Sequence, residues 1–336
     1  MSLSLEYLER CAAESGYGVE ALEKVARLGE LAADIARHPF LGLALALKGG
    51  TALNLCFGAP TRLSVDLDFN YVGQAGRERM LAERPRVEAA VEELARRRSY
   101  TVQRSADAFA GRKLYLGFTS ALGPNQRIEV DLNFLFRVPF AGTEIREMWQ
   151  PGELERPSLR VVSSSELCAG KLLALFDRTA PRDAWDVGQL PAIAGEILGS
   201  PLFRARFIAL SAILDHPLPS YDRQRIEKRV TDREIAAHLA PVLAGGEVPR
   251  ARVMVDRAWS VAGSFVSLEP AEDEYIAAIQ RGELRTDLLF PGDAGEAARM
   301  ANHPAIQWKL LNVREHRARP QRRRTRRRSP DEPTQT

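Results

Sequence analysis

Apolar residues recur at helical spacing across "GVEALEKVARLGELAADIARHPF", residues 18 to 40, and the run ends at a proline, so one amphipathic helix covering a core is expected there. "LALALKGG" then leads into a glycine pair. Beyond the pair, "TALNLCFG" reads as a short helix and "SVDLDFNYV" as a strand. "RERMLAERPRVEAAVEELARRRSY" is helical with an expected interruption near Pro85, since proline lacks the amide proton a helix interior needs. "KLYLGFTS" and "RIEVDLNFLF" alternate as two strands joined by the turn "ALGPNQ". After "VVSSSELCAGKLLALFDR" and "RDAWDVGQL" the pattern is mostly helical to His316, with no internal repeat.

Composition narrows the class. A chain of 336 residues, 45% apolar and 27% charged, has ordinary globular make-up and room for a large core. Its three cysteines, Cys11, Cys56 and Cys168, are far apart and in no metal-like or CxxC arrangement, which fits a reducing compartment. With no apolar run of roughly 18 residues and no signal-like N-terminus, no membrane partner and a cytoplasmic location are expected. The net charge of +3 conceals an asymmetry. Residues 317–336 hold eight arginines against Asp331 and Glu332, so a mildly acidic body carries a basic tail, expected to be disordered for want of apolar anchors.

Chemistry enters at "RLSVDLDF". Residues two apart on a strand share a face, with about 6.6 Å between their α-carbons, so Asp66 and Asp68 can converge while Val65, Leu67 and Phe69 take the other side. At about 5 Å and an effective dielectric near 20, two such charges repel by roughly 3 kcal/mol, which calls for a cation between them. Either that face is simply wet, or it holds a hard divalent ion suited to displacement at phosphorus. "RIEVDLNF" supplies Asp131 on a second strand, with Glu129 and Asn133 on its face, as a third carboxylate for a metal. Gly49 and Gly50 allow backbone amides to approach a phosphate at a helix start, although glycine pairs are also common turns.

The order of these features, a Gly-Gly turn, a short helix, Asp-x-Asp on a strand and a later strand aspartate, resembles the nucleotidyltransferase superfamily. "GGTAL" followed by "TRLSVDLDF" is similar in particular to the AbiEii/AbiGii toxin family of type IV toxin–antitoxin systems, the MenT-like toxins among them. "KLLALFDR" resembles that family's lysine motif at Lys171, and "RDAWDV" its closing motif at Asp183 and Asp186. The resemblance spans residues 41 to 190. It implies an α+β fold, a nucleotidyltransferase-like mixed sheet flanked by helices with a mostly helical C-terminal part. The divisions expected are 1–40 (N-terminal helical segment), 41–182 (nucleotidyltransferase core), 183–316 (helical C-terminal domain) and 317–336 (disordered Arg-rich tail).

The activity implied is Mg²⁺-dependent transfer of a nucleoside monophosphate from an NTP to RNA, the 3′ end of tRNA in particular, blocking translation under the control of a cognate antitoxin. Asp66, Asp68 and Asp131 would hold the metal, with Asp131 also activating the attacking hydroxyl; Lys171 would offset charge at phosphorus, and Asp186 would join the catalytic set. Gly50 stands where many members of the superfamily have serine, so Thr51 or Ser64 would contact phosphate, joined by Arg62 and Asp183. Each has a plainer reading: Lys171 snorkelling to the surface, Asp183 as a helix cap, Arg62 as a surface residue. The rival functions are transfer to a small molecule or a protein, and RNA binding without catalysis.

Overall fold

The computed structural model describes residues 3–108, 110–245 and 248–326, with backbone alone for 319–326. Seven strands form one mixed sheet: β1 (Leu45–Lys48), β2 (Asp66–Tyr71), β3 (Thr101–Arg104), β4 (Gly111–Thr119), β5 (Asn125–Asn133), β6 (Thr143–Glu147) and β7 (Ser158–Val162), in the order β3-β4-β5-β2-β1-β7-β6. The β2–β5 and β1–β7 pairs are parallel and the rest antiparallel. Alternation in β4 and β5 buries Leu114, Leu116, Ile128, Val130 and Leu132 on one face, as period-two strands with one covered side require. The turn between them forms where the sequence places it.

The helices are α1 (Leu5–Ser15), α2 (Val19–Arg37), α3 (Leu41–Ala44), α4 (Gly49–Cys56), α5 (Arg77–Arg97), α6 (Ser164–Asp177), α7 (Pro181–Leu198), α8 (Pro201–Ser211), α9 (Arg223–Arg229), α10 (Asp232–His238), α11 (Ala251–Val266), α12 (Pro270–Arg281), α13 (Ala294–Ala301) and α14 (Pro304–Arg326). α2 buries the stripe Leu22, Val25, Leu28, Leu31 and Ile35, the amphipathic face read from the sequence. Helices α2 and α5 pack on the apolar side of the sheet, while α4 packs on β1 and β2 and α6 packs on α4.

Two expectations need adjusting. α5 runs through Pro85 rather than breaking there. One missing amide proton costs the helix a single bond, and Arg84 beside it is tied to Glu88 at 2.7 Å and to Asp107 at 2.8 Å. The boundary at 316 falls inside α14, which continues to Arg326. Arginine is a good helix former, and Arg317 also donates to the Gln280 carbonyl at 3.1 Å. The rest of the expected disordered tail, residues 327–336, lies outside the described residues.

Candidate active site

The parallel register of β2 and β5 sets Asp66 beside Glu129, Asp68 beside Asp131 and Asn70 beside Asn133. Adjacent strands lie about 4.8 Å apart, so four carboxylates form a block on one face of the sheet, as the alternation predicts. Burial pushes the Asp66 carboxyl above the ordinary range, and Asp68 and Glu129 push it further. Burial likewise raises Asp131, against the pull of Lys48. Lys113, on β4 opposite Asp131, brings its ammonium to 3.5 Å from Glu129 and 3.9 Å from Asp131. Lys113 has no motif around it, so nothing in the sequence marks it as part of the site.

Each glycine of the pair has its own physical reason. Gly49 has φ of 71°, and a β-carbon there would lie 2.4 Å from Asp68 Oδ2. At Gly50 a β-carbon would meet Arg62 Nη2 at 2.8 Å and Ser64 Oγ at 2.9 Å, with Lys171 Nζ at 3.5 Å. The start of α4 is therefore pressed against the first carboxylate strand on one side and two cations on the other. Thr51 does not face this space. Its hydroxyl donates to the Asp66 carbonyl, tying α4 to β2, so of the two candidates it is Ser64 that lines the cleft.

Behind the glycines lies a buried charge cluster. Arg62, 2% exposed, grips Asp186 through Nε at 2.8 Å and Nη2 at 2.6 Å. Lys171 Nζ reaches the same carboxylate at 2.6 Å, and Asn54 donates to it at 3.1 Å. Burial alone would raise the Asp186 carboxyl, but Arg62 and Lys171 outweigh it and hold it well below the usual carboxylate range. Neither snorkelling nor a surface position describes Lys171 or Arg62. Asp186 is enclosed by its donors and has no exposed surface. Asp183, one turn earlier, accepts from Arg178 at 2.7 and 2.8 Å; α7 is capped by Ala180 without a side-chain bond, so capping is not its part.

These groups line a cleft of two lobes that meet at Gly50, Asp68, Asp131, Lys171 and Arg178. One, about 920 Å³, is rimmed by Arg182 and by Lys228, Arg229 and Arg233 from α9 and α10. The other, about 470 Å³, runs between the sheet and α6 and α8, with Phe136, Phe140 and Leu210 on its walls. Nothing in the run "EKRVTDRE" marked its cations as part of a site, because a charged surface helix looks the same.

Among the described residues, no three His, Cys, Asp or Glu side chains are placed to enclose a metal ion. The donor chemistry nonetheless suits Mg²⁺, which binds hard oxygens and takes one or two carboxylates together with substrate phosphates rather than a full protein cage. Asp66, Asp68 and Asp131 offer such oxygens on adjoining strands.

Among curated proteins none matches this chain in sequence. Among solved structures it is similar to MenT4, a nucleotidyltransferase toxin from Mycobacterium tuberculosis H37Rv, with a TM-score of 0.63 and 20% identity over 89% of this chain and 99% of that one, a likeness of fold. Residues 31–294 match the sequence profile described as nucleotidyl transferase AbiEii toxin, type IV toxin–antitoxin system. Since that match takes in the sheet, the glycine pair, all the carboxylates and the charge cluster behind them, the chain belongs to the AbiEii nucleotidyltransferase toxin family.

Proposed function

We propose that the protein transfers a nucleoside monophosphate from an NTP to the 3′ end of tRNA with release of pyrophosphate, and so blocks translation and growth until its antitoxin restrains it. The observation that carries the transfer reading is the alignment of Asp66, Asp68 and Asp131 on adjoining strands directly beneath Gly49–Gly50 and Lys171. Asp66, Asp68 and Asp131 would hold Mg²⁺, which when bound supplies charge neutralisation on the triphosphate. Asp131 takes the proton of the acceptor hydroxyl. That oxygen bonds to the α-phosphorus as the bond to pyrophosphate breaks. Lys171 and Ser64, beside Gly50, face the phosphates. Asp186 acts as a positioning residue, holding Arg62 and Lys171 at the glycine pair, as Asp183 holds Arg178.

The cationic rim of Arg182, Lys228, Arg229 and Arg233 supports a polyanionic acceptor, since neutralising nucleic-acid phosphates releases counterions. The arginines from Arg317 to Arg328 would add affinity of the same kind without reading sequence. Incubation with each labelled NTP, Mg²⁺ and total RNA, in parallel with protein alone, tests the reading. Label is expected in tRNA. Label confined to protein or to a small molecule would replace the acceptor, and no transfer to anything would leave RNA binding without catalysis.

A further inference from the structure

The smaller lobe of the cleft is unlike the larger. Its walls combine Phe136, Phe140, Leu210 and Ile213 with charged and amide side chains in about equal measure, and the fold leaves one of those polar groups unanswered. Asn70, the residue after Phe69 on the carboxylate strand, is 2% exposed, and its Oδ1 has no hydrogen-bond partner among the described residues. Across the lobe, Glu166 in the first turn of α6 is 6% exposed. Its Oε2 accepts from the backbone amides of Phe140 at 3.0 Å and Ala141 at 3.4 Å, which fixes the carboxyl in place, and none of the described residues donates to Oε1. A buried polar atom without a partner is rare, and Asn70 Oδ1, on this cavity wall, marks a place where a ligand completes the bonding. Burial also pushes the Glu166 carboxyl up to about 8, so near neutral pH it can donate as well as accept.

An aromatic face stands beside them. Asn133 Oδ1 accepts from the amides of Leu135 at 3.0 Å and Phe136 at 2.9 Å, an Asx turn that ends β5 and presents Phe136, half-buried, to the lobe. His303 packs edge-on against that ring at 5.7 Å and steadies it. A flat ring, an amide oxygen without a partner two residues along the strand from Asp68, and a carboxyl fixed by two backbone amides suit a planar heterocycle with polar edges. The volume of about 470 Å³ admits a nucleoside.

We propose that this lobe binds the nucleoside of the NTP, with Phe136 as its stacking platform and Asn70 and Glu166 as the groups that select the base. The inference rests on the transfer reading above and adds to it the residues of base choice. Sugar and base enter the smaller lobe while the phosphates lie across Gly50 and Lys171 towards the cationic one.

The test is calorimetric binding of the α,β-methylene analogues of ATP, GTP, CTP and UTP, and of tripolyphosphate, to the whole protein with Mg²⁺. Wild type is expected to bind at least one analogue about tenfold or more tighter than tripolyphosphate, a difference of about 1.4 kcal/mol, and to rank the four bases unequally. Glu166→Gln, which keeps an oxygen for the Phe140 and Ala141 amides, is expected to change the ratio between the best and worst base about tenfold with tripolyphosphate binding held within about twofold. Phe136→Ala should weaken all four analogues alike. Unchanged ratios in Glu166→Gln, or analogues no tighter than tripolyphosphate, overturn the pocket assignment while leaving the transfer reading standing. Failure to bind either the analogues or tripolyphosphate would sink both.

Discussion

Replacing Asp186 with asparagine keeps the shape of the side chain and removes its charge, so it isolates the electrostatic part of the cluster beneath the glycine pair. In the native protein one carboxylate answers two cations, with Arg62 at 2.6 and 2.8 Å and Lys171 at 2.6 Å, all three nearly or wholly buried. Asparagine would leave both cations without this counter-ion at nearly buried positions. Breaking a buried pair from one side costs about 3–5 kcal/mol, against a typical total stability of about 5–15 kcal/mol. On a urea slope of ~3 kcal/mol/M, a loss of ~4 kcal/mol lowers the unfolding midpoint by ~1.3 M. Lys171→Met provides the contrast, because it leaves Asp186 paired one-to-one with Arg62. Its midpoint should move by less than ~0.5 M, yet transfer activity should disappear. Adding Lys171→Met to Asp186→Asn should recover part of the lost stability, a coupling that a double-mutant cycle reads directly. Urea unfolding by circular dichroism measures all four proteins. An Asp186→Asn midpoint within ~0.3 M of wild type would mean that the two buried cations do not depend on Asp186 for their stability.

Asp68→Ala should lower transfer by several orders of magnitude while leaving stability equal or higher, because it relieves the repulsion felt by Asp66. Turnover above about a tenth of wild type, roughly 1.4 kcal/mol in barrier, would remove Asp68 from the metal site. Asp66 and Asp131 both titrate above the ordinary 3.8, so the folded state holds protons that the unfolded chain releases; their contribution is most favourable in acid and is lost as pH rises through the raised values. Mg²⁺ should therefore raise the melting temperature more at pH ~8 than at pH ~5, and a gain independent of pH would place the ion elsewhere. Gly49→Ala should displace Asp68, since the new methyl would fall 2.4 Å from Oδ2 at a φ of 71°; loss of transfer with a fall in melting temperature is expected, and wild-type values for both would contradict the close approach. Glu166, raised from 4.5 to about 8 by burial, removes stability as pH rises across that interval. The melting temperature of Glu166→Gln relative to wild type should accordingly climb with pH, and a constant difference between pH ~5 and pH ~9 would mean that the carboxyl is not held protonated.

What the sequence determines by itself is whatever depends on neighbours along the chain. The two-residue period of a strand puts Asp66 with Asp68, and Glu129 with Asp131, on shared faces whatever lies around them, and the 3.6-residue period of residues 18–40 defines the buried stripe of α2. The glycine pair was legible for a related reason, since a backbone that must turn sharply before a helix needs glycine locally. The short strands β3, β6 and β7 carry too few alternations to be read, and they form because the sheet offers an edge to pair with. Only the tertiary structure decides that Arg62 and Lys171 share Asp186, that Thr51 ties down a strand rather than facing the cleft, and that Lys113 sits among the carboxylates. Arg62 and Asp186 lie 124 residues apart. A buried ion pair has no local signature, because its energy arises only when distant segments meet and exclude water from the charges between them.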